Sequence, residues 1–365
     1  MLTRRRLLTA AAVAGPAALL LPGIARAAEP DLSTPERWLA RFAAHRNDVS
    51  AVFDDGVRHR LHHLPSVARP LASAIKVVHL LAYATAVAAG RLDPAEPVRV
   101  GDWDARHPYL GDGPVGAGNH HTALTHLGIP CDEFGVAKDP ERRVPLGKLA
   151  ELMILVSDNS AADYLRARLG DRALRAAAAR GGWPSPDVRM FSGETLLLFF
   201  PEYGPPPGSP VTVRRAAGDA LSARFACDPS FRARVVPRAT EQPPTEPDLL
   251  AWTGETGRGT AAQLAGLHHE IALGRDEPAE LAREILGLQF AGHQPPVLFK
   301  GGSLPGALVL GVDLVWPDRR PGTGVVVLQH STPADLEHAD VLLRLGADAL
   351  RSPATFTALE HALGH

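Results

Sequence analysis

Strand-forming segments stand at the two ends of this chain and helix-forming segments fill the middle, so the ends have to find each other. Val49–Phe53 and Val57–Leu61 flank Asp54-Asp55-Gly56, a hairpin signal. The next strands expected are Val297–Lys300, Ala307–Trp316 and Gly324–Gln329. Because both sets of strands need partners, the simplest assembly is one antiparallel sheet built from both ends, with the helical middle as a second lobe. The expected class is therefore α+β, with a sheet lobe at about 28–68 and 290–365 and a helical lobe at about 69–289.

The helical readings rest on caps and apolar spacing. Thr34-Pro35-Glu36 supplies a cap and an N1 proline for a helix through about Arg46. From Pro70, the stripe Ile75, Val78, Leu81 and Ala82 predicts a buried helix with Ser73 in its first turn, ending at Gly90. Further helices are expected at Val144–Val156, Ala161–Leu169 and Ala261–Leu273, and from Ala334 onward. Residues 101–140 read as a long loop with a short helix near Thr122–Leu127. The Pro-rich stretch 200–258 reads as a lid, a binding loop or an insertion with one Arg- and Ala-rich helix.

Residues 1–27 read as an export leader. Arg4-Arg5-Arg6 forms a twin-arginine n-region, Leu7–Leu21 an apolar h-region, and Ala25-Arg26-Ala27 a small-x-small cleavage site. The apolar run is shorter than the roughly 20 residues that span a bilayer, and no later segment is longer. Removing the leader deletes four arginines and no acid, which leaves 34 basic against 40 acidic residues, a net charge of −6. That balance argues against nucleic acid or an anionic membrane as partner. At 45% apolar, the remaining chain can bury a large core, and a monomer acting on a small molecule is expected. Cys131 and Cys227 are enough for one disulfide, but a twin-arginine substrate folds before export, so the sequence leaves pairing open. None of the histidine pairs, His62-His63, His120-His121 or His268-His269, has zinc-site spacing, and most read as surface residues; no metal or cofactor is expected.

Only four of the 38 basic residues are lysine: Lys76, Lys138, Lys148 and Lys300. Arginine cannot give up its proton, so a chain that otherwise uses arginine keeps lysine where an amine must deprotonate. Lys76 follows Ser73 by three residues, which places amine and hydroxyl on one helical face. Ser157-Asp158-Asn159 precedes a helix, where Ser, Asp and Asn are also ordinary caps. Lys300-Gly301-Gly302-Ser303 ends a strand at which glycines admit a substrate to the backbone.

Together and in this order, these elements resemble the penicillin-recognising serine hydrolases, specifically the class A β-lactamase-like branch with its S-x-x-K, S-D-N and K-[T/S]-G signature. The likeness extends to Pro70-Leu71-Ala72-Ser73 and to the stretch from Ser157 to Leu165, and covers nearly all of the chain beyond the leader. It implies a β-lactamase/transpeptidase-like fold, with Ser73 as acylated nucleophile, Lys76 as general base, Ser157 as proton relay and Lys300 as electrostatic partner. Asn159, Gly302 and Ser303 become substrate-binding residues, with the backbone N–H groups of Ser73 and Ser303 as the oxyanion hole.

Two departures bear on the reaction. Gly301 stands where the family carries a hydroxyl, with Ser303 two residues on as a substitute. The water-activating glutamate has two candidates, Glu194 by spacing and Glu246 by local sequence, and neither is followed by the usual asparagine. The readings are β-lactam hydrolysis first, then a D-alanyl-D-alanine carboxypeptidase or esterase on the same site, then a protein that binds β-lactams or cell-wall peptides. Retention of both lysines argues against the last.

Overall fold

The computed structural model describes residues 30–107, 118–206, 208–318 and 320–365. The expected leader lies outside the described residues. Helix α1 (Pro35–Ala44) opens with its N1 proline and buries Trp38 and Phe42. Strands β1 (Val49–Asp54) and β2 (Arg60–His63) form the hairpin, pairing Asp54 with Arg60 and Ala51 with His63. After the short β3 (Arg69–Pro70) come α2 (Lys76–Ala88), β4 (Pro97–Arg99), α3 (Val100–Asp104) and α4 (Asn119–His126). The helical middle continues with β5 (Arg143–Pro145), α5 (Leu146–Leu155), α6 (Asn159–Arg180), α7 (Phe191–Phe199), α8 (Val211–Cys227), α9 (Pro229–Glu241) and α10 (Glu246–Glu255). It closes with β6 (Arg258–Gly259), α11 (Ala261–Leu273) and α12 (Glu277–Leu286). The last part holds β7 (Val297–Leu304), β8 (Gly306–Leu314), β9 (Gly322–Ser331), α13 (Pro333–Glu337), α14 (Ala339–Ala349) and α15 (Pro353–Leu363).

The ends of the chain do meet. The main sheet runs β2-β1-β9-β8-β7, antiparallel throughout, with β1 from one end pairing β9 from the other and β7 left at the edge. β7 and β8 are buried almost along their full lengths because helices cover both faces of the sheet. One core packs the sheet's outer face against α1, α14 and α15 through Trp38, Phe42, Phe53, Leu308 and Phe356. A larger core joins the inner face to α2, α5, α6, α11 and α12 through residues such as Val309, Val325, Leu81, Leu165 and Leu264. The expected α+β class holds: one antiparallel sheet built from both ends of the chain, with the helical middle packed against it.

Three readings need correction. The stretch 200–258 contains three helices rather than one, because its prolines open helices: Pro229 is the N1 residue of α9, and Pro247 follows Glu246 at the start of α10, behind a Thr245–Asp248 capping box. The helix expected to end at Leu169 is only interrupted by Gly170, at φ 73°, and resumes to Arg180. Ser73 does not lie in an α-helical turn but in a 3₁₀ turn, Ala72–Ile75, that leads into α2. Helices α7 and α12 were also not anticipated. No helix among the described residues is long and apolar enough to cross a membrane.

Asp163 of α6 fastens the start of α7. Its buried carboxylate accepts from the Phe191 and Ser192 amides at 2.7 and 2.8 Å and from Ser192 Oγ at 2.5 Å. Burial pushes its pKa above the ordinary carboxylate value against those three donors. Removing the acceptor leaves the buried Ser192 amide and the half-buried Phe191 amide without a partner, while Ser192 Oγ keeps Ser222 Oγ, so Asp163→Ala is expected to destabilise by about 1–3 kcal/mol in urea melts.

Candidate active site

Three separate elements bring the motif residues together. Lys76 Nζ, at the start of α2, lies within hydrogen-bond distance of Ser73 Oγ at 3.0 Å, Ser157 Oγ at 3.2 Å, the Ser157 carbonyl at 2.6 Å and Asn159 Oδ1 at 2.6 Å. Lys300 Nζ, on β7, donates to the same Ser157 Oγ at 3.0 Å and to the Gly301 carbonyl at 2.9 Å. One hydroxyl thus bridges two amines, and one of those amines reaches the candidate nucleophile. Both lysines are about 3% exposed. Burial, then the charge of Lys76, holds Lys300 well below the ordinary lysine value. A neutral amine beside a hydroxyl can accept its proton, which the guanidinium of arginine cannot do.

The backbone is bent to make this meeting possible. Ser157 sits at φ +60° and Ala72, just before Ser73, at φ +46°. Side chains rarely occupy that region, and each such residue costs roughly 1–3 kcal/mol. Asp158 counters the strain at Ser157: its carboxylate accepts from the Ser160 and Ala161 amides at 3.0 and 3.2 Å and from Trp103 Nε1 at 2.8 Å. On the opposite wall, Gly302 packs its Cα against the turn that carries Ser73. A Cβ there would lie 2.5 Å from both the Ser73 and Ala74 nitrogens. Gly301 has a different steric reason, since a Cβ at that position would meet the Phe299 ring at 2.9 Å.

A cleft opens over Ser73, with apolar walls and a few convergent polar groups as small-molecule sites have. Asn159, Ser303 and Glu194 line it beside Lys76, with Phe191 and Trp252 as aromatic walls. The two candidate glutamates part company here. Glu194, on α7, is buried and faces the cleft, whereas Glu246 is exposed in the first turn of α10 and is not among the lining residues. Glu194 is itself held: Arg189 reaches Oε1 at 3.1 Å and Arg214 reaches Oε2 at 3.1 Å.

The histidines read as surface residues are divided. His120 and His268 are fully buried, the latter bonded to Asp313 Oδ2 at 2.7 Å. A fully buried histidine has no local sequence signature, because its carboxylate partner is distant in the chain. His79 also lines the cleft, and burial, then the charges of Arg166 and Lys76, lower its pKa to about 3 against the pull of the Ile75 carbonyl. Cys131 and Cys227 are both free thiols.

A sequence profile described as the Beta-lactamase enzyme family matches residues 39–224, half of the chain. The chain belongs to this family. It is a serine hydrolase of β-lactamase type. Its fold is similar to that of a β-lactamase from Sphaerobacter thermophilus at 15% identity, with 89% of this chain and 96% of that one covered and a TM-score of 0.54. It is also similar to a variant of a class A β-lactamase of the last common ancestor of Gram-negative bacteria, at 17% identity, 90% and 99% coverage and a TM-score of 0.51. No curated protein matches it.

Two outcomes are expected at this site. Gly302→Ala forces the Ser73 turn to shift, because the added methyl would lie 2.5 Å from the Ser73 and Ala74 nitrogens, and is expected to destabilise by about 1–3 kcal/mol in urea melts. Lys300→Met raises the melting temperature at neutral pH. A lysine with a depressed folded-state pKa costs stability below the ordinary value of 10.5, where the unfolded chain binds the proton more readily, so the gain disappears as the pH rises past 10.5.

Proposed function

We propose that this family member is an exported β-lactam hydrolase working through an acyl-Ser73 intermediate. The observation that carries the reading is the bridge of Ser157 Oγ between Lys76 and Lys300, with Lys76 also touching Ser73 Oγ. Neutral Lys76 takes the Ser73 proton as Oγ attacks the lactam carbonyl carbon. The oxygen that gains charge is met by the backbone N–H groups of Ser73 and Ser303. As the C–N bond breaks, the proton passes from Lys76 through Ser157 to the leaving nitrogen, with Lys300 stabilising the relay. Asn159 orients Lys76 and, with Ser303, the substrate. Glu194 then activates the water that releases the acyl group, since of the two glutamates it alone lines the cleft. No cofactor enters this chemistry. The twin-arginine leader at 1–27 supports export.

One observation favours a second reading. Both Glu194 oxygens are already bonded to arginines, which leaves less of the carboxylate to bind and orient a water. Slow release of the acyl group would make the protein a D-alanyl-D-alanine carboxypeptidase-like enzyme or an esterase, or a β-lactam-binding protein with weak turnover.

Intact mass after exposure to benzylpenicillin, with absorbance followed in parallel, separates these readings. Hydrolysis with a short-lived adduct, both lost in Ser73→Ala, is expected. Glu194→Gln should make the adduct persist and slow turnover by on the order of a hundredfold or more. A persistent adduct on the unaltered protein selects the second reading, and no adduct with no turnover overturns both.

A further inference from the structure

Behind the Ser157 loop, away from the cleft, lies a buried ionic cluster that the proposed chemistry does not use. His120 Nε2 is 2.7 Å from Asp104 Oδ1, and its Nδ1 is 3.3 Å from Asp158 Oδ1. The side chains of His120 and Asp158 are fully buried and that of Asp104 nearly so. Ionised carboxylates only accept hydrogen bonds, so a ring with a carboxylate at each nitrogen must donate from both and is an imidazolium. The other Asp104 oxygen accepts from the Ala137 amide at 2.8 Å, which ties the far side of the cluster to the backbone. The Trp103 ring meets His120 edge-on at 4.8 Å, and His107 lies against it at 4.6 Å while bonding the Phe134 carbonyl.

The position of this cluster gives it a role. Asp158 lies between Ser157 and Asn159, the two residues of that loop that touch Lys76. Asn119, the residue before His120, donates to the Ser157 carbonyl at 3.4 Å. Helix α4 therefore addresses two consecutive residues of the loop, one at its backbone and one at its carboxylate. Ser157 holds φ +60° only if its surroundings dictate it. We infer that Asp104 and His120 form a positioning clamp, in which an imidazolium fixed by Asp104 grips Asp158 and so holds Ser157 Oγ within reach of both lysines. This rests on the reading of Ser73 as the acylated nucleophile and Ser157 as its relay.

Among the described residues, the groups facing His120 are Asp104 from α3, His107 from the segment after it and Asp158 at the start of α6, with Lys76 acting on Asp158 from the far side. Burial opposes the imidazolium, and Asp158 and Asp104 overcome it, pushing its pKa up to about 10. His120 in turn is the main influence holding the buried Asp158 below the ordinary carboxylate value. Without that cation, Asp158 protonates at higher pH and its grip on the loop weakens.

The test compares Ser73 acylation by benzylpenicillin in the full chain, as a function of concentration and pH, for the unaltered protein, His120→Asn, Asp104→Asn and a Ser73→Ala control. Expected for His120→Asn is a maximal acylation rate lower by on the order of ten- to a hundredfold, half-saturation nearly unchanged, and an acidic limb displaced to higher pH. Asp104→Asn, which leaves Asp158 in place, should move both quantities in the same direction. A folded His120→Asn protein with the original rate and acidic limb overturns the clamp. Nitrogen-15 NMR of the histidine rings in the unaltered protein decides independently of folding or substrate: His120 doubly protonated at pH 8 supports the clamp, and a neutral ring overturns it. Absence of any acylation in the unaltered protein would defeat the parent reading instead and leave the NMR result to judge the clamp.

Discussion

Two amines on one buried hydroxyl is the constraint around which the rest of this molecule is arranged. Burying an ammonium is costly, and burying two near each other costs more than the sum, because each penalises the charge of the other. The protein meets that cost with acceptors: carbonyls of Ser157 and Gly301, the Asn159 amide and the Ser157 hydroxyl. It also allows Lys300 to sit far below its ordinary pKa.

Holding that arrangement takes both cores. The inner core places α2 against α6, so that Lys76 faces the Ser157 loop, and against the sheet, so that β7 delivers Lys300. The contact between β7 and the Ser73 turn has no slack, since Gly302 leaves no room even for a methyl group. Strain at Ala72 and Ser157 is stored beside the site and offset by hydrogen bonds at Asp158 and by core burial.

Glu194 shows how packing alters what a residue type can do. A carboxylate lining the cleft is well placed to activate water, yet two guanidiniums already occupy its oxygens. Its helix is fastened by Asp163 to α6, the helix that the Ser157 loop opens. In the proposed mechanism, how firmly the arginines hold Glu194 sets the balance between release and retention of the acyl group.

Local relations were readable in the chain itself. Ser73 and Lys76 lie within one turn whatever surrounds them, Ser157-Asp158-Asn159 precedes a helix because those residues cap, and strands at both ends demand a shared sheet. The prolines of 200–258 were legible only as interruptions, because a helix-opening proline and a loop proline look alike without the helix that follows. Whether the lysines meet on one hydroxyl, which glutamate faces the cleft, and that His120 is a buried cation between Asp104 and Asp158 were decided by tertiary structure alone. Those facts depend on groups far apart in the chain, and on the loss of water around them. Residue order carries local geometry, whereas burial, partner choice and the charge state that follows from them arise only when the helical middle closes on the sheet.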